Sequence, residues 1–242
     1  MINAMSDPII NIVANGAKEL NIDLPPTAGA AFRAYYDFLE ERGKNVNLTA
    51  ISGEEEVARL HFLDSLSVLQ TATFINAKII DIGSGAGFPG VPMKIVEPTI
   101  DLTLLDATGK RVTFLAELCE KLQITATCIH ARAEEAAHTI DLREKYDVAV
   151  SRAVAQLNVL CELCLPFVRV GGIFVAMKST DSDDEIEKAK SAMEALGSEL
   201  LECIDYTIPD TEITQRAVII RKVEKTLEKL PRRFPKIQKS PL

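Results

Sequence analysis

The stretch Asp81–Gly90, with the sequence Asp-Ile-Gly-Ser-Gly-Ala-Gly-Phe-Pro-Gly, is the most informative indication of the fold. It ends a short apolar run, Lys78–Ile82, that is typical of a buried strand, and it opens a helical pattern over Gly90–Val96. Glycines at a strand-to-helix turn let the backbone bend tightly and let a ligand approach it closely. Open α/β sheets bind nucleotide-like ligands at the carboxyl ends of their strands. The stretch therefore predicts an α/β protein with a ligand site at this turn.

From Lys78 onward, short apolar runs alternate with longer helical patterns. The predicted strands are Lys78–Ile82, Leu102–Asp106, Thr125–Ala131, Tyr146–Ser151, Ile173–Lys178, Glu202–Ile208 and Ala217–Val223, and the predicted helices are Gly90–Val96, Lys110–Leu122, Leu157–Val168 and Asp183–Leu196. Strands separated by helices indicate βαβ units and a parallel sheet. The last two strands are joined by a loop alone, which indicates an antiparallel edge. We predict a doubly wound, mostly parallel, seven-stranded Rossmann-like α/β sheet.

Residues 1–72 carry a different pattern and predict a small helical cap, followed by the sheet domain at residues 73–242. One stripe at helical spacing consists of Phe32, Tyr35, Tyr36 and Leu39. This spacing puts the four side chains on one face, so we interpret them as core and not as a base-stacking platform. Ser52 and Glu55 have the spacing of a capping box at the start of a further helix, Glu54–Leu69.

The composition of the 242 residues excludes several classes of protein. With 47% hydrophobic and 26% charged residues, the chain has the proportions of a globular domain and not of a disordered or fibrous chain. It has no apolar run long enough for a membrane span, and Met1–Ile10 lacks the cationic flank of a secretory signal. Five cysteines, an odd number, indicate reduced thiols and a cytoplasmic location.

The net charge of −8 is unevenly distributed along the chain, because the C-terminal segment is basic. The segment Arg221–Leu242 carries eight Lys and Arg residues against two Glu residues, so it is +6 and the remainder of the chain is −14. A basic tail on an acidic body is able to hold a polyanion such as RNA. A solvated tail that aids solubility is the alternative, and charge alone leaves both open.

Two cofactors compete for the glycine turn. Gly85–Gly90 matches the dinucleotide fingerprint G-x-G-x-x-G, but Asp81 would repel the pyrophosphate that such a cofactor places at the helix N-terminus. Ile82–Ser84 also separate the strand end from the fingerprint. S-adenosylmethionine (SAM) carries an ammonium and a sulfonium and no phosphate, so a carboxylate and loop carbonyls suit it. We predict SAM, with S-adenosylhomocysteine as product, and keep an NAD(P)-linked oxidoreductase as the alternative.

Two further strand ends fit a nucleoside. Asp106 ends the second predicted strand, where a carboxylate accepts hydrogen bonds from both ribose hydroxyls. Its alternative role is to cap the helix that begins near Thr108. Ala133 and Glu134 follow the third strand, where such folds present a backbone N–H to the adenine edge.

Several additional motifs occur in a fixed order from about Asn45 to the C-terminus. They are Asn47-Leu48-Thr49, His61–Ser65, the glycine turn, Leu105–Leu115, Ser151-Arg152-Ala153, Lys178, Pro231–Pro235 and Pro241. In this order and spacing the chain resembles the bacterial 16S ribosomal RNA guanine-N7 methyltransferases, also called glucose-inhibited division protein B. The tail departs from the family pattern at Lys236 and Ile237, where these proteins often have a glycine.

The resemblance implies a class I SAM-dependent methyltransferase that methylates N7 of one guanine in 16S rRNA. The expected target is conventionally numbered position 527, in the decoding-region loop, and the expected partner is 16S rRNA, the small ribosomal subunit or its precursor. The SAM-contacting positions implied by the resemblance are Gly83, Phe88, Ala133, Glu134 and Arg152. The glycine turn and the strand ends add Asp81, Gly85, Gly87 and Asp106.

N7 of guanine carries a lone pair and no proton, so its methylation needs no general base, and no convincing Ser/His/Asp or Cys/His set occurs in the sequence. Catalysis would come from positioning. The candidates are Arg152, Lys178, His61 and Asp64. Each has a structural alternative: Arg152 a salt bridge to a strand-end Asp, Lys178 a solvated surface, and the His61 and Asp64 pair a link between cap and sheet.

Because the A-form major groove excludes side chains, a target N7 must lie in a loop or be splayed from the stack. The predicted phosphate contacts are Lys110, Arg111, Lys178, Arg232, Arg233 and Lys236.

Cys161 and Cys164 have zinc-like spacing, but no second such pair accompanies them. We therefore expect both cysteines in the core, with no metal. We expect a monomer with no membrane association and no obligate protein partner. The remaining rivals are a non-catalytic RNA-binding factor on a methyltransferase scaffold and a methyltransferase for a different substrate.

Overall fold

A mostly parallel sheet with helices on both faces lies at the centre of the structure, a computed structural model that describes residues 7–42, 48–152 and 155–242. Its strands are β1 (Lys78–Ile82), β2 (Asp101–Asp106), β3 (Ala126–His130), β4 (Tyr146–Arg152), β5 (Val168–Ser179), β6 (Ser198–Thr207) and β7 (Thr214–Lys222). Within the described ranges the strand order is β3-β2-β1-β4-β5-β7-β6. Only β7 runs antiparallel to its neighbours, β5 and β6. The predicted doubly wound, mostly parallel, seven-stranded sheet is confirmed.

Helices connect these strands as βαβ units. They are α5 (Gly90–Val96), α6 (Gly109–Lys121), the single turn α7 (Ala133–Ala136), α8 (Leu157–Cys164) and α9 (Asp183–Ala195). The predicted helix Leu157–Val168 is too long. In the structure α8 ends at Cys164, and a 3₁₀ turn, Leu165–Phe167, follows. Pro166 lacks the N–H that a continued α-helix requires, so the helix ends and β5 begins early.

The N-terminal cap consists of α1 (Pro8–Glu19), α2 (Ala28–Arg42) and a composite helical segment over residues 54–70. That segment contains α3 (Glu54–Val57), a π-helical stretch Ala58–Leu63, α4 (Asp64–Ser67) and a 3₁₀ turn Val68–Gln70. The predicted capping box at Ser52 is wrong, because the residue before the helix is Gly53 and no side chain caps it. Gly53 has a φ of 96°, a conformation that glycine adopts without strain.

The core lies on both faces of the sheet because successive strand residues point to opposite sides. Ile79 packs with the cap, α5 and α6, whereas Ile80 packs with α8 and α9 on the other face. The stripe from Phe32 to Leu39 is buried in the first cluster, which confirms it as core. Cys161 and Cys164 are buried in the second cluster, so their prediction as core residues is also confirmed.

Part of the basic C-terminal segment packs against the body, which speaks against the alternative of a fully solvated tail. Lys222 is fully buried, and its Nζ donates to the Leu165 carbonyl at 3.1 Å and to Thr226 Oγ1. Burial lowers the pKa of Lys222 to about 8. Near the end, a short helix, α10 (Phe234–Lys239), buries Ile237. Apolar side chains spaced among the cations make this packing possible.

Parallel strands β1 and β4 are neighbours at the centre of the sheet, where the strand order reverses. Such a reversal opens a crevice at the carboxyl ends of the strands. The glycine turn follows β1 and Arg152 ends β4, so both lie at this crevice. No helix in the described part of the chain has the length and apolar character to cross a membrane.

Candidate active site

A cavity of about 680 Å³ opens at the carboxyl ends of β1, β4 and β5. This volume lies within the range of about 300–1,000 Å³ that is common for small-molecule sites. The sequence-predicted site residues that line it are Gly83, Gly85, Phe88, His61, Asp64, Arg111, Arg152 and Lys178. The fold thus brings residues from the cap, the glycine turn and two strand ends to one place.

Hydrogen bonds fix the glycine turn on two sides, one to the sheet and one to the N-terminal cap. The Gly83 N–H donates to the Leu105 carbonyl at 2.8 Å. The Tyr35 hydroxyl on α2 donates to the Ala86 carbonyl at 2.6 Å. Gly87 has a φ of 103°, and a Cβ there would lie 2.7 Å from the Tyr35 hydroxyl. Gly87 therefore makes room for Tyr35, on the side of the turn away from the cavity.

Asp81 lies beneath the turn and is fully buried. Its Oδ2 accepts the Gly90 N–H at 2.9 Å, whereas its Oδ1 has no hydrogen-bond partner in the described ranges. Burial raises the pKa of this carboxyl to about 8, although the Gly90 N–H and the Arg152 charge oppose the rise. The site therefore contains a buried acceptor atom that no group in the described part of the chain satisfies.

Asp106 connects the two loops at the ends of β1 and β2. Its Oδ1 accepts the Thr108 N–H at 2.8 Å, but Thr108 is itself the N-cap residue of α6, so this contact lies before the helix and Asp106 does not cap it. Its Oδ2 accepts the Gly85 N–H at 3.1 Å and lies 3.6 Å from Arg111 Nη1. Asp106 thus orders the glycine turn, and its ribose contact stays a prediction.

Arg152 is the centre of a buried polar network. Its Nη1 donates to Asp64 Oδ2 at 2.9 Å, and its Nη2 donates to His61 Nδ1 at 3.0 Å. Its guanidinium lies 4.8 Å from the centre of the Phe88 ring. The salt bridge therefore runs to the cap and not to a strand-end Asp, and it links the cap to the sheet.

The contacts of His61 determine its tautomer. A guanidinium only donates hydrogen bonds, so Nδ1 accepts and Nε2 carries the proton, which it donates to Thr49 Oγ1 at 2.7 Å. Burial, together with the Arg152 charge, lowers the pKa of His61 to about 3. The ring stacks on Phe88 with 4.4 Å between centroids. His61 is a neutral, fully hydrogen-bonded side chain.

Tyr206 and Glu185 are two of the lining residues that the sequence analysis missed. Tyr206 on β6 donates its hydroxyl to Asp64 Oδ1 at 2.9 Å. Glu185 on α9 lies 2.6 Å from Lys178 Nζ. Both come from the C-terminal third of the chain, and neither sits in a recognisable motif. The only available signal was position, since Tyr206 lies near the end of the predicted strand Glu202–Ile208 and Glu185 lies in the first turn of the predicted helix Asp183–Leu196.

The remaining predicted residues lie outside this cavity. Ala133 and Glu134 begin α7, and Glu134 borders a second cavity of about 560 Å³ between α7 and the C-terminal segment. Lys110 borders a small cavity of about 210 Å³ beside α2. Asn47 and Ala153, from the family motifs, fall outside the described residues.

Some of the residues predicted to contact phosphates are paired with carboxylates inside the protein, whereas others are exposed to solvent. Arg232 pairs with the fully buried Glu162 through Nη2 and Oε2 at 2.6 Å, so its charge is neutralised within the fold and the prediction of a phosphate contact there loses its basis. Lys178 is likewise paired and mostly buried. In contrast, Arg233 and Lys236 are exposed and have no ion-pair partner in the described chain.

Metal-ligating side chains do not gather in threes within the residues that the structure describes.

Comparison with known proteins identifies the family. The family model described as rRNA small subunit methyltransferase G matches residues 29–214. The chain is 44% identical over 234 residues to the ribosomal RNA small subunit methyltransferase G of Alkaliphilus oremlandii, covering 96% of this chain and 98% of that protein. It is also 44% identical over 240 residues to the protein of that name from Thermoanaerobacter sp., covering 98% and 100% respectively.

Solved structures with low sequence identity share the fold. The M. jannaschii TYW2 structure in complex with AdoMet superimposes with a TM-score of 0.52 at 15% identity, covering 74% of this chain and 80% of that one. A SAM-dependent methyltransferase from Aquifex aeolicus gives a TM-score of 0.50 at 17% identity, covering 69% and 93%. The fold predicted from the glycine turn and the family predicted from the motifs are both confirmed, and the chain belongs to the rRNA small subunit methyltransferase G family.

Proposed function

We propose that the protein transfers a methyl group from SAM to N7 of a guanine in 16S rRNA, at position 527 of the decoding-region loop. Family membership supports an rRNA substrate, and the fold of the SAM-dependent relatives supports the cofactor. The guanine-N7 target comes from the motif resemblance. The observation that carries the proposal is the glycine turn itself, which presents a buried carboxylate in place of a phosphate site.

The residues present fit SAM as a bound group. The unpaired Oδ1 of Asp81 lies beneath the turn, and an adjacent cation would favour the ionised carboxylate that burial disfavours. A pyrophosphate in the same place would meet this carboxyl group instead of free N–H groups. The turn and Asp106 would hold the nucleoside end, with Ala133 and Glu134 at the adenine edge. The nucleoside contacts suit either cofactor, whereas the Asp81 carboxyl group favours SAM over the NAD(P) alternative.

Bound SAM would supply a methyl group on a sulfonium; transfer to N7 would form an N–C bond as the C–S bond breaks and leaves its electron pair on sulfur. No proton leaves N7, so the site has no need of a base. The described side chains agree with this requirement. His61 uses Nδ1 to accept from Arg152 and Nε2 to donate to Thr49, and both oxygens of Asp64 accept hydrogen bonds.

In this proposal the side chains of the site orient the two reactants and do not transfer protons. Fixing two reactants in line is worth about 7–11 kcal/mol of the barrier in favourable cases. Arg152 is held by Asp64 and His61 above the Phe88 ring, so its position is set before substrate binds. A rigid guanidinium beside the methyl-transfer site is suited to orienting the incoming nucleotide.

RNA would reach the cavity as an unstacked loop nucleotide, because N7 in an A-form helix lies in a groove too deep and narrow for side chains. Arg111 at the cavity and the exposed Arg233 and Lys236 are available for phosphate contacts. Their effect on affinity would be electrostatic and dependent on salt.

The test is incubation of the purified protein with methyl-labelled SAM and either naked 16S rRNA or small subunits that lack the modification. We expect label in 7-methylguanosine from the decoding-region loop of at least one substrate. Transfer to another nucleoside would contradict the guanine-N7 proposal. RNA binding without transfer would instead support the non-catalytic alternative, and competition by NAD for the turn would support an oxidoreductase.

A further inference from the structure

An ion pair borders the cavity at the end of β5. Lys178 Nζ lies 2.6 Å from Glu185 Oε2, and both residues line the same cavity as the glycine turn. The Lys178 side chain is 11% exposed and that of Glu185 is 31% exposed, so the pair is partly withdrawn from water but still reachable from the cavity. Such a pair is able to recognise a planar polar group.

Some hydrogen-bonding groups of Lys178 and Glu185 are not used within the described protein. Lys178 has three N–H donors, of which one goes to the Ala155 carbonyl at 3.0 Å and one to Glu185. Glu185 Oε2 accepts from Lys178 and from the Leu157 N–H at 3.0 Å, whereas Oε1 has no partner in the described ranges. The pair therefore retains one donor and, beside it, one carboxylate oxygen that accepts from no described protein group.

We infer that Glu185 and Lys178 read the six-membered ring of the target guanine, an inference that rests on the proposed function. Guanine presents the O6 acceptor next to the N1–H and 2-amino donors, which is the complement of an ammonium beside a carboxylate. O6 also lies on the same side of the base as N7. A base with N7 toward the glycine turn would therefore direct its O6 and N1 edge along the adjoining wall of the cavity.

The same arrangement rejects adenine. Adenine has an amino donor in place of O6 and an acceptor at N1, so the lysine would face a donor and the carboxylate would face a lone pair. Mismatched buried polar groups discriminate strongly, because neither partner recovers the hydrogen bonds that it loses from water. Glu185 is thus a specificity residue and Lys178 is its partner.

The decisive variant is Glu185→Gln. The amide oxygen of Gln must take the position that accepts from Lys178 and Leu157, since an amide nitrogen there would face two donors. Its NH₂ group is then left where Oε1 was, a donor opposite the N1–H donor of guanine. Glu187→Gln is the matched control, because Glu187 lies on the same helix, is exposed and pairs only with Lys190 in the described residues.

The experiment compares single-turnover methylation of a decoding-loop RNA that carries guanine or 2-aminopurine at the target position. 2-Aminopurine keeps N7 and the 2-amino group but lacks O6 and the N1 proton. We expect the wild-type protein and Glu187→Gln to prefer guanine by roughly 10- to 100-fold, as for other paired base contacts. We expect Glu185→Gln to lose most of this preference while its affinity for SAM stays within twofold.

A Glu185→Gln variant that slows both substrates equally, or that keeps the wild-type preference, would overturn the inference and leave Glu185 as a structural contact to α8. Failure of the proposed function is distinguishable, because the wild-type protein would then transfer no methyl group to guanine in this RNA.

Discussion

His61 illustrates at the scale of a single residue how burial sets the chemistry of the site. The ring lies between Phe88 and Arg152, and its pKa falls to about 3 because the cavity wall excludes water and the neighbouring guanidinium repels a second positive charge. The imidazole therefore stays neutral at any physiological pH. A neutral ring whose Nδ1 accepts from Arg152 is suited to holding that guanidinium in place and not to exchanging protons with a substrate.

Asp81 should make the stability of the protein fall as pH rises. Burial raises the folded-state pKa of its carboxyl from 3.8 to about 8, so between these values the folded state binds a proton that the unfolded state has lost. This contribution is fully present below pH 4 and disappears as pH rises through about 8. We expect Asp81→Asn to gain free energy of unfolding relative to wild type between pH 6 and 9, measured by urea denaturation.

Asp147→Asn is the control for this measurement. Although Asp147 is partly buried, the Lys78 N–H and the Arg169 side chain lower its pKa, so it is ionised in both states across this range. A constant difference in free energy between Asp81→Asn and wild type across the same pH range would show that Asp81 does not carry the expected proton.

Gly85→Val should abolish SAM binding without unfolding the protein. Gly85 has a φ of 57° at the cavity wall, and a β-branched residue in this conformation is strained. The strain would distort the turn, whereas space around the missing side chain is open apart from the Gly83 carbonyl at 3.8 Å. Calorimetric titration measures the affinity, and circular dichroism the fold.

Gly171→Val is the matched variant, because Gly171 also has a positive φ, of 84°, but lies in β5 away from the cavity. We expect it to lose stability and keep its SAM affinity. Wild-type affinity in Gly85→Val would show that the cofactor binds elsewhere.

At the scale of the elements, α2 controls the glycine turn through a single hydroxyl. Tyr35→Phe removes the hydrogen bond to the Ala86 carbonyl and leaves that carbonyl beside an apolar ring. We expect the free energy of unfolding to fall by about 1–3 kcal/mol, the usual cost of an unpaired buried polar group. We also expect weaker SAM binding, because the turn loses its upper support. Tyr36→Phe, one residue along the same helix, should leave SAM affinity unchanged, and equal effects of the two variants would contradict this role for α2.

The packed C-terminal segment should contribute to RNA affinity through its exposed cations. Arg233 borders the second cavity and has no ion-pair partner among the described residues. We expect Arg233→Ala to weaken binding of 16S rRNA and to lower the slope of log affinity against log salt by roughly one. Lys121→Ala, an exposed lysine at the far end of α6, is the control. An unchanged salt slope for Arg233→Ala would exclude this phosphate contact.

At the scale of the whole molecule, the sequence predicted the strands and helices that build the sheet, because the succession of these elements along the chain depends on local signals. Apolar runs, helical spacing and the glycine turn each act over a few residues, and β1 and α5 match their predicted bounds. The packing of the C-terminal segment was not predictable in this way. Nothing local to Lys222 or Arg232 indicates that one is buried and the other neutralised. Lys222 donates to the Leu165 carbonyl, 57 residues earlier in the chain, and Arg232 pairs with Glu162 on α8, 70 residues earlier.

The candidate site was predictable to a similar degree. Residues in motifs, such as Phe88 and Arg152, were found because the family spacing marks them. Tyr206 and Glu185 were missed because only the folded sheet brings β6 and α9 to the end of β4. Conversely, Gly87 belongs to the motif, but its place in the structure is against Tyr35 and not in the cavity.

If the cavity methylates guanine N7 as proposed, the modification must be present in the decoding-region loop of cellular 16S rRNA. Nucleoside mass spectrometry of that rRNA fragment from cells with and without the gene measures it. We expect 7-methylguanosine in the fragment from cells that carry the gene and unmodified guanosine in its absence. Equal amounts of 7-methylguanosine in the two fragments would contradict the proposal.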